Sequence, residues 1–196
     1  MRLTVRILAG PRPVDVARYM RRLIGKPQFH ALEFGLYTID EKKEGEQQLS
    51  DALLGHADVF LIDGHSGSEQ GSPWFVNHDL QPLLPNRGLR AHAFLMGCCF
   101  GDTRPMTDTL TAAIARQTGR AAFLGSSDKT YEGQAKVLYP RVFAALADLA
   151  VSNQEVGADT ICDAFSRGHA QAIEVPVDAP ATWAGWQPPR ILGDAK

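Results

Sequence analysis

Apolar residues fall into short runs separated by turn-forming or charged segments, and the spacing inside each run sets the element it predicts. Leu3 to Leu8 alternates and stops at Ala9-Gly10-Pro11, a strand followed by a turn. From Pro13 to about Ile24, Val16, Met20, Leu23 and Ile24 recur at helical spacing, while Arg18, Arg21, Arg22 and Lys26 fall mostly off that face as a solvated surface. Ala31 to Ile39, with Leu32, Phe34 and Leu36 two apart, reads as a second strand. Asp40 to Gly45 is a charged loop, Glu46 to Leu54 a helix, and Val59 to Ile62 a third strand. Strand, helix, strand, helix, strand is the signature of parallel crossovers.

Ala91 to Met96 is continuously apolar, which predicts a fourth strand buried on both faces in the middle of the sheet. Before it, the polar stretch from Ser66 to Pro73 reads as an exposed loop, and Leu80 to Leu84 as a short helical piece ahead of a turn at Pro85 to Gly88. After it come a helix from Met106 to Gln117 closed by Gly119, and a short buried strand from Ala121 to Leu124. A long helical pattern runs from Tyr131 to Ala150, with Pro140 either bending it or marking its start. Asp159 to Ile173 is a last helix. The segment from Pro176 is rich in Pro and Trp, with Trp183 and Trp186 expected to clamp it onto the core. The expected fold is α/β: a three-layer α/β/α sandwich with a mainly parallel sheet, in one domain over residues 1–196.

Composition narrows the picture. With 196 residues, 44% of them hydrophobic, the chain supports one ordinary core, and two full domains would be cramped. A formal net charge of -2 gives no general attraction to nucleic acid or anionic lipid, so neither is an expected partner. Arg6 interrupts the only apolar run near the N-terminus, against a signal peptide, and no stretch reaches transmembrane length. Three cysteines, two of them adjacent, argue against a disulfide framework and for a reducing, cytoplasmic setting.

Two strand ends carry reactive side chains: Val59 to Gly67 holds His65, and Ala93 to Gly101 holds Cys98 and Cys99. A thiol is mostly protonated at neutral pH and needs an imidazole or an electropositive setting to act as a nucleophile. Cys98 follows a predicted strand and precedes a helix, where backbone amides favour a thiolate and later an oxyanion. His65 would exchange the leaving group's proton. Taken alone, a buried Cys and a strand-end His are more often structural. Cys162 reads as core, and His30, His56, His78, His92 and His169 are scattered. A zinc site of Cys98, Cys99 and a His lacks CxxC or HxxxH spacing, so no metal is expected. No phosphate-cradling motif follows the Gly64 to Gly71 loop, and no organic cofactor is expected.

The two blocks Gly64-His65-Ser66-Gly67-Ser68-Glu69-Gln70 and Leu95-Met96-Gly97-Cys98-Cys99-Phe100-Gly101 resemble the signatures of caspase-like cysteine peptidases. Within that group the likeness is to CHAT and separase peptidases, whose blocks take the forms Gly-His-Gly-Ser-Gly-Glu-Gln and Leu-Met-Gly-Cys-Ser-Ser-Gly. Phe123 to Leu146, with Gly125-Ser126-Ser127-Asp128 ahead of a helix, and Thr182 to Asp194, with Trp183-Ala184, resemble two further CHAT blocks. The four lie in order over about two thirds of the chain.

The resemblance implies a caspase-like fold and a cysteine endopeptidase cutting a protein or peptide substrate, with Cys98 as nucleophile, His65 as acid/base, and the amides of Ser66 and Cys98 as the oxyanion hole. A caspase-style Cys-x-Gly alignment would select Cys99 instead. The family has Gly where this chain has Ser66, which keeps a catalytically silent interaction module as the alternative, beside a non-proteolytic cysteine hydrolase or transferase. Separases select Arg, which implies a carboxylate in the specificity pocket; Asp128 is the first candidate, followed by Glu132, Asp63 and Asp102. Because CHAT domains are often joined to sensor or repeat modules, a separate regulatory or sensor protein is implied, and by the same analogy a bacterial defence or stress role.

Overall fold

The computed structural model describes residues 2–10, 14–38, 51–53, 56–66, 73–75, 78–79, 90–115 and 118–193. Five strands are mutually parallel: β1 (Leu3–Ala9), β2 (Leu32–Thr38), β3 (His56–Asp63), β7 (Arg90–Met96) and β8 (Ala121–Gly125). With β9 (Arg190–Leu192) they form one six-stranded sheet in the order β2-β1-β3-β7-β8-β9, β9 running antiparallel to β8. The central pair, β3 and β7, is buried over the carboxyl part of each strand and opens towards solvent at the amino end. Continuous apolar runs suit such two-sided burial.

Each face of the sheet packs its own apolar layer. Val5, Ile7, Val59, Leu61, Ala93, Leu95 and Leu124 face α1 (Val14–Ile24), α3 (Glu132–Val151) and α4 (Ala158–Ile173). Phe60, Ile62, Phe94, Met96 and Phe123 face α2 (Arg104–Ile114) and the helical residues 51–53. This is the α/β/α sandwich that the pattern predicts. Helices α3 and α4 approach closely at Gly168, where a Cβ would stand 2.7 Å from the Val142 Cα. The exposed Arg18, Arg21, Arg22 and Lys26 form the solvated face read from their spacing.

Helix α3 follows the predicted Tyr131 to Ala150 pattern within one residue at each end, and of the two roles open to Pro140 it excludes the start, since the helix runs through it. Proline cannot donate to the carbonyl four residues back, and the Tyr19 hydroxyl donates to that carbonyl, Lys136 O, at 3.1 Å instead. Three features depart from the sequence reading. The third strand begins at His56, three residues before Val59. The edges of the predicted Ser66 to Pro73 loop are strand: β4 (His65–Ser66), β5 (Pro73–Phe75) and β6 (His78–Asp79) make a small antiparallel sheet, with His65 paired to Trp74. The loop interior, the predicted helical piece at Leu80 to Leu84 and most of the predicted helix at Glu46 to Leu54 lie outside the described residues. Finally, the Pro-rich tail contributes β9, whose three residues are too few to show a period.

Candidate active site at the carboxyl edge

Strands β3 and β7 bring the two sequence blocks to one edge. Their pairing ends with Ile62 opposite Met96, and the Gly97 amide still donates to Ile62 O at 2.9 Å. The chain segments carrying His65 and Cys98 therefore leave neighbouring strands side by side. The His65 and Ser66 backbones enter β4, and their side chains lie outside the described residues.

The turn after β7 is fixed from several directions. Gly101 N donates to Cys98 O at 3.3 Å, Phe100 N to Asp128 O at 3.0 Å, and Asp102 N to Ser126 O at 2.8 Å. Phe100 has φ +52, a left-handed conformation that costs a side-chain-bearing residue energy. Thr130 ties the loop after β8 to the same turn, its hydroxyl donating to Gly97 O at 3.0 Å and its amide to Cys99 Sγ at 3.3 Å. That loop is braced in turn by the C-terminal segment. Ser127 N donates to Gly185 O at 2.8 Å, and Gly185 has no room for a Cβ because Asp128 Cβ would lie 2.5 Å away. Trp183 Nε1 donates to Val175 O at 2.8 Å, and Trp186 is buried beside it, so both rings hold this segment down.

Beneath the turn lies a buried polar group. The Tyr139 hydroxyl donates to Asp63 Oδ2 at 2.9 Å, and both residues are buried. Burial raises the Asp63 pKa to about 7, against the lowering effect of the Tyr139 hydrogen bond. Tyr139 is pushed well up, by burial first and by Asp63 next. A Cβ on Gly97 would stand 1.9 Å from the Tyr139 hydroxyl, so only glycine lets α3 come this close to the turn. Cys98 is fully buried, in the layer with Met96 and Met106. Burial, then Asp63, then Cys99 raise its thiol pKa, which favours the neutral form. Cys99 is half-buried.

The four candidate specificity carboxylates occupy different settings. Asp63 faces inward to Tyr139. Asp102 receives two hydrogen bonds from Arg190, at 2.6 and 2.5 Å, and the guanidinium lies 4.8 Å from the centre of the Phe123 ring. Glu132, in the first turn of α3, pairs with Lys136 and lines a cavity of about 210 Å³ with Arg18, Tyr19 and Arg22. Asp128 is exposed in the loop beside the Cys98 turn, with its Oδ1 accepting the Lys129 amide at 2.7 Å. Because the Asp102 to Arg190 pair links the turn to β9, Asp102→Ala is expected to lower stability by about 1–2 kcal/mol, read as a reduced urea midpoint.

Among the described residues, Tyr139, Thr130 and Arg190 contribute to the site without being revealed by the sequence alone. Each acts on residues more than 30 positions away. Tyr139 sits in an ordinary apolar stripe, so periodicity assigns it to the core.

No protein-family model matches the chain, and no curated protein matches it. Among solved structures, the Arg specific cysteine proteinase gingipain R (RGPB) superposes with a TM-score of 0.55 at 13% identity, covering 87% of this chain and 42% of that one. The chain thus spans about two fifths of that protein's length. Pyridoxal kinase from Staphylococcus aureus superposes at a TM-score of 0.40 with 13% identity, covering 99% of this chain and 100% of that one, too loosely to support an argument. At 13% identity the gingipain likeness establishes the fold, an α/β sandwich of caspase-like type.

Proposed function

We propose that this chain is a cysteine endopeptidase of CHAT or separase-like type, with Cys98 as nucleophile and His65 as acid/base. The observation that carries this reading is the adjacency of β3 and β7, which delivers the His65 and Cys98 segments to one carboxyl edge. In the reaction, the Cys98 thiol gives its proton to His65 and Sγ bonds to the scissile carbonyl carbon. The imidazolium then protonates the departing amine, and water cleaves the thioester to free the acid and the thiol. The amides of Ser66 and Cys98 face the carbonyl oxygen as charge develops on it.

A buried neutral thiol beside Asp63 is a resting arrangement. Activity therefore requires the turn to open, which supports activation by a separate regulatory or sensor protein, and by analogy a role in bacterial defence or stress. We read the chain as acting as one domain, 1–196, in the cytoplasm, where its three free thiols stay reduced. For specificity, Asp128 is the favoured partner of a basic P1 side chain, because it is exposed beside the turn. Gingipain R, itself an Arg specific cysteine proteinase, agrees with that choice. In a peptide panel, cleavage is expected after Arg or Lys; cleavage after Asp or Leu with none after Arg or Lys would exclude the acidic pocket.

Burial of Cys98 also favours a second reading, a catalytically silent interaction module. The two separate by N-terminal sequencing of lysate proteins cleaved by wild type against Cys98→Ala, run with labelling by an acyloxymethyl-ketone probe and with candidate activators. New N-termini that need Cys98 support the peptidase. A Cys98 that stays unlabelled under every activating condition supports the module.

A further inference from the structure

The amino end of the two central strands carries a second cluster. His56 and Asp58 on β3 and His92 on β7 each offer one ligand atom, and the three atoms lie within 4.8 Å of one another. Pairing of Ala57 with Ala91 and of Val59 with Ala93 sets His92 directly across from Asp58. Strand alternation puts His56, two residues before Asp58, on the same face. The next layer on that face is the stacked pair Phe60 and Phe94, with ring centroids 6.1 Å apart. The polar trio thus stands where the apolar layer ends, with His56 exposed and Asp58 and His92 half-buried.

From this geometry we infer that His56, Asp58 and His92 form a binding site for a divalent transition-metal ion, Zn(II) foremost, with water completing its coordination. Ligands about 2.1 Å from a tetrahedral ion lie roughly 3.4 Å from one another. His56 Nε2 and Asp58 Oδ1 are already 3.2 Å apart. The two imidazole rings meet at 82° with centroids 5.7 Å apart, close to the roughly 5 Å of two rings sharing one such ion.

The second oxygen of Asp58 is held by the Thr4 amide at 2.7 Å. An outer partner of this kind orients a carboxylate ligand. Two imidazoles and one carboxylate suit Zn(II), Co(II) or Fe(II), and supply too few oxygens for Ca(II) or Mg(II). The bound ion would join β3 to β7 directly, and to β1 through Asp58 and Thr4. Cys98 lies six positions beyond His92, past the carboxyl end of β7 and roughly 20 Å away along an extended chain, so the site is independent of the thiol chemistry.

The sequence hides this cluster because His56-x-Asp58 has a strand's spacing and its third ligand lies 34 residues away. The test is titration of the metal-stripped full chain with Co(II). One equivalent is expected to give the visible d–d absorption of a tetrahedral nitrogen and oxygen site, without intense thiolate-to-cobalt charge transfer, and Zn(II) is expected to displace it and raise the melting temperature. His92→Ala is expected to weaken binding about a hundredfold or more. The exposed His56→Ala is expected to weaken it without disturbing the fold. A spectrum dominated by sulfur ligation, affinity unchanged in both His variants, or no uptake at about 10 μM metal would each overturn the site.

Discussion

Cys98→Ala is expected to remove peptide cleavage, by on the order of a millionfold in kcat, while Cys99→Ala retains most of it. The expectation rests on three positions. The Cys98 carbonyl accepts from Gly101 N, which makes Cys98 the first residue of the turn that closes β7. Its thiol, pushed up first by burial, also feels the charge of Asp63, which ends the neighbouring strand that leads to His65. Cys99 lies one residue further, and its sulfur accepts from the Thr130 amide on the other side of the turn, towards the loop after β8. Its contacts are those of a group that braces that loop. The observation favouring Cys99 is exposure, since it is half-buried where Cys98 is fully buried. The measurement is kcat/KM for both variants on one peptide with the activator present, circular dichroism confirming that each remains folded. Loss confined to Cys99→Ala would move the nucleophile by one residue; loss in neither would exclude both cysteines as the nucleophile, whereas no cleavage by wild type under any activating condition would point to the silent module.

How far the chain could be read in advance depends on where each signal resides. Parallel strands buried on both faces write themselves as unbroken apolar runs, and so β3 and β7 are visible in Val59 to Ile62 and Ala91 to Met96, near the centre of the sheet. Their amino ends are polar, so no apolar run marks His56 to Asp58 as strand. Strand β9 is three residues in a Pro-rich tail, and it is held by pairing with β8 and by Arg190 on Asp102, neither of which leaves a local pattern. For the candidate site, the two strand ends are legible because the reactive residues follow apolar runs directly. What they are embedded in is not. Tyr139 reaches Asp63 across 76 residues, and its place is kept by the missing Cβ of Gly97, a contact that no helical or strand period encodes.

That buried pair leads to the second large effect, a pH dependence of stability opposite to the usual one for an aspartate. Most native aspartates are stabilised as carboxylates, so protonating them weakens the fold. Asp63 is the reverse case, because burial raises its folded-state pKa from 3.8 to about 7. Between those values the folded chain holds a proton that the unfolded chain has lost. Its contribution to stability is therefore fully present below about pH 4 and is lost as the pH rises to about 7. Between pH 5 and pH 8 the loss is about 3 kcal/mol, from roughly two pH units at 1.36 kcal/mol each, or roughly 10 °C in melting temperature for a chain of this size. His92 and His169, whose pKa values burial lowers, tilt the curve the other way over part of that range. The difference between wild type and Asp63→Asn isolates the effect, since Asn keeps the shape and an acceptor for the Tyr139 hydroxyl. Chemical denaturation at both pH values is expected to show the variant gaining about 3 kcal/mol on wild type between pH 5 and pH 8. Difference values equal at the two pH values would mean that Asp63 is already ionised in the folded chain at pH 5. A carboxylate there would also oppose thiolate formation at Cys98, so iodoacetamide labelling of Cys98 at pH 8 is expected to be faster in Asp63→Asn than in wild type.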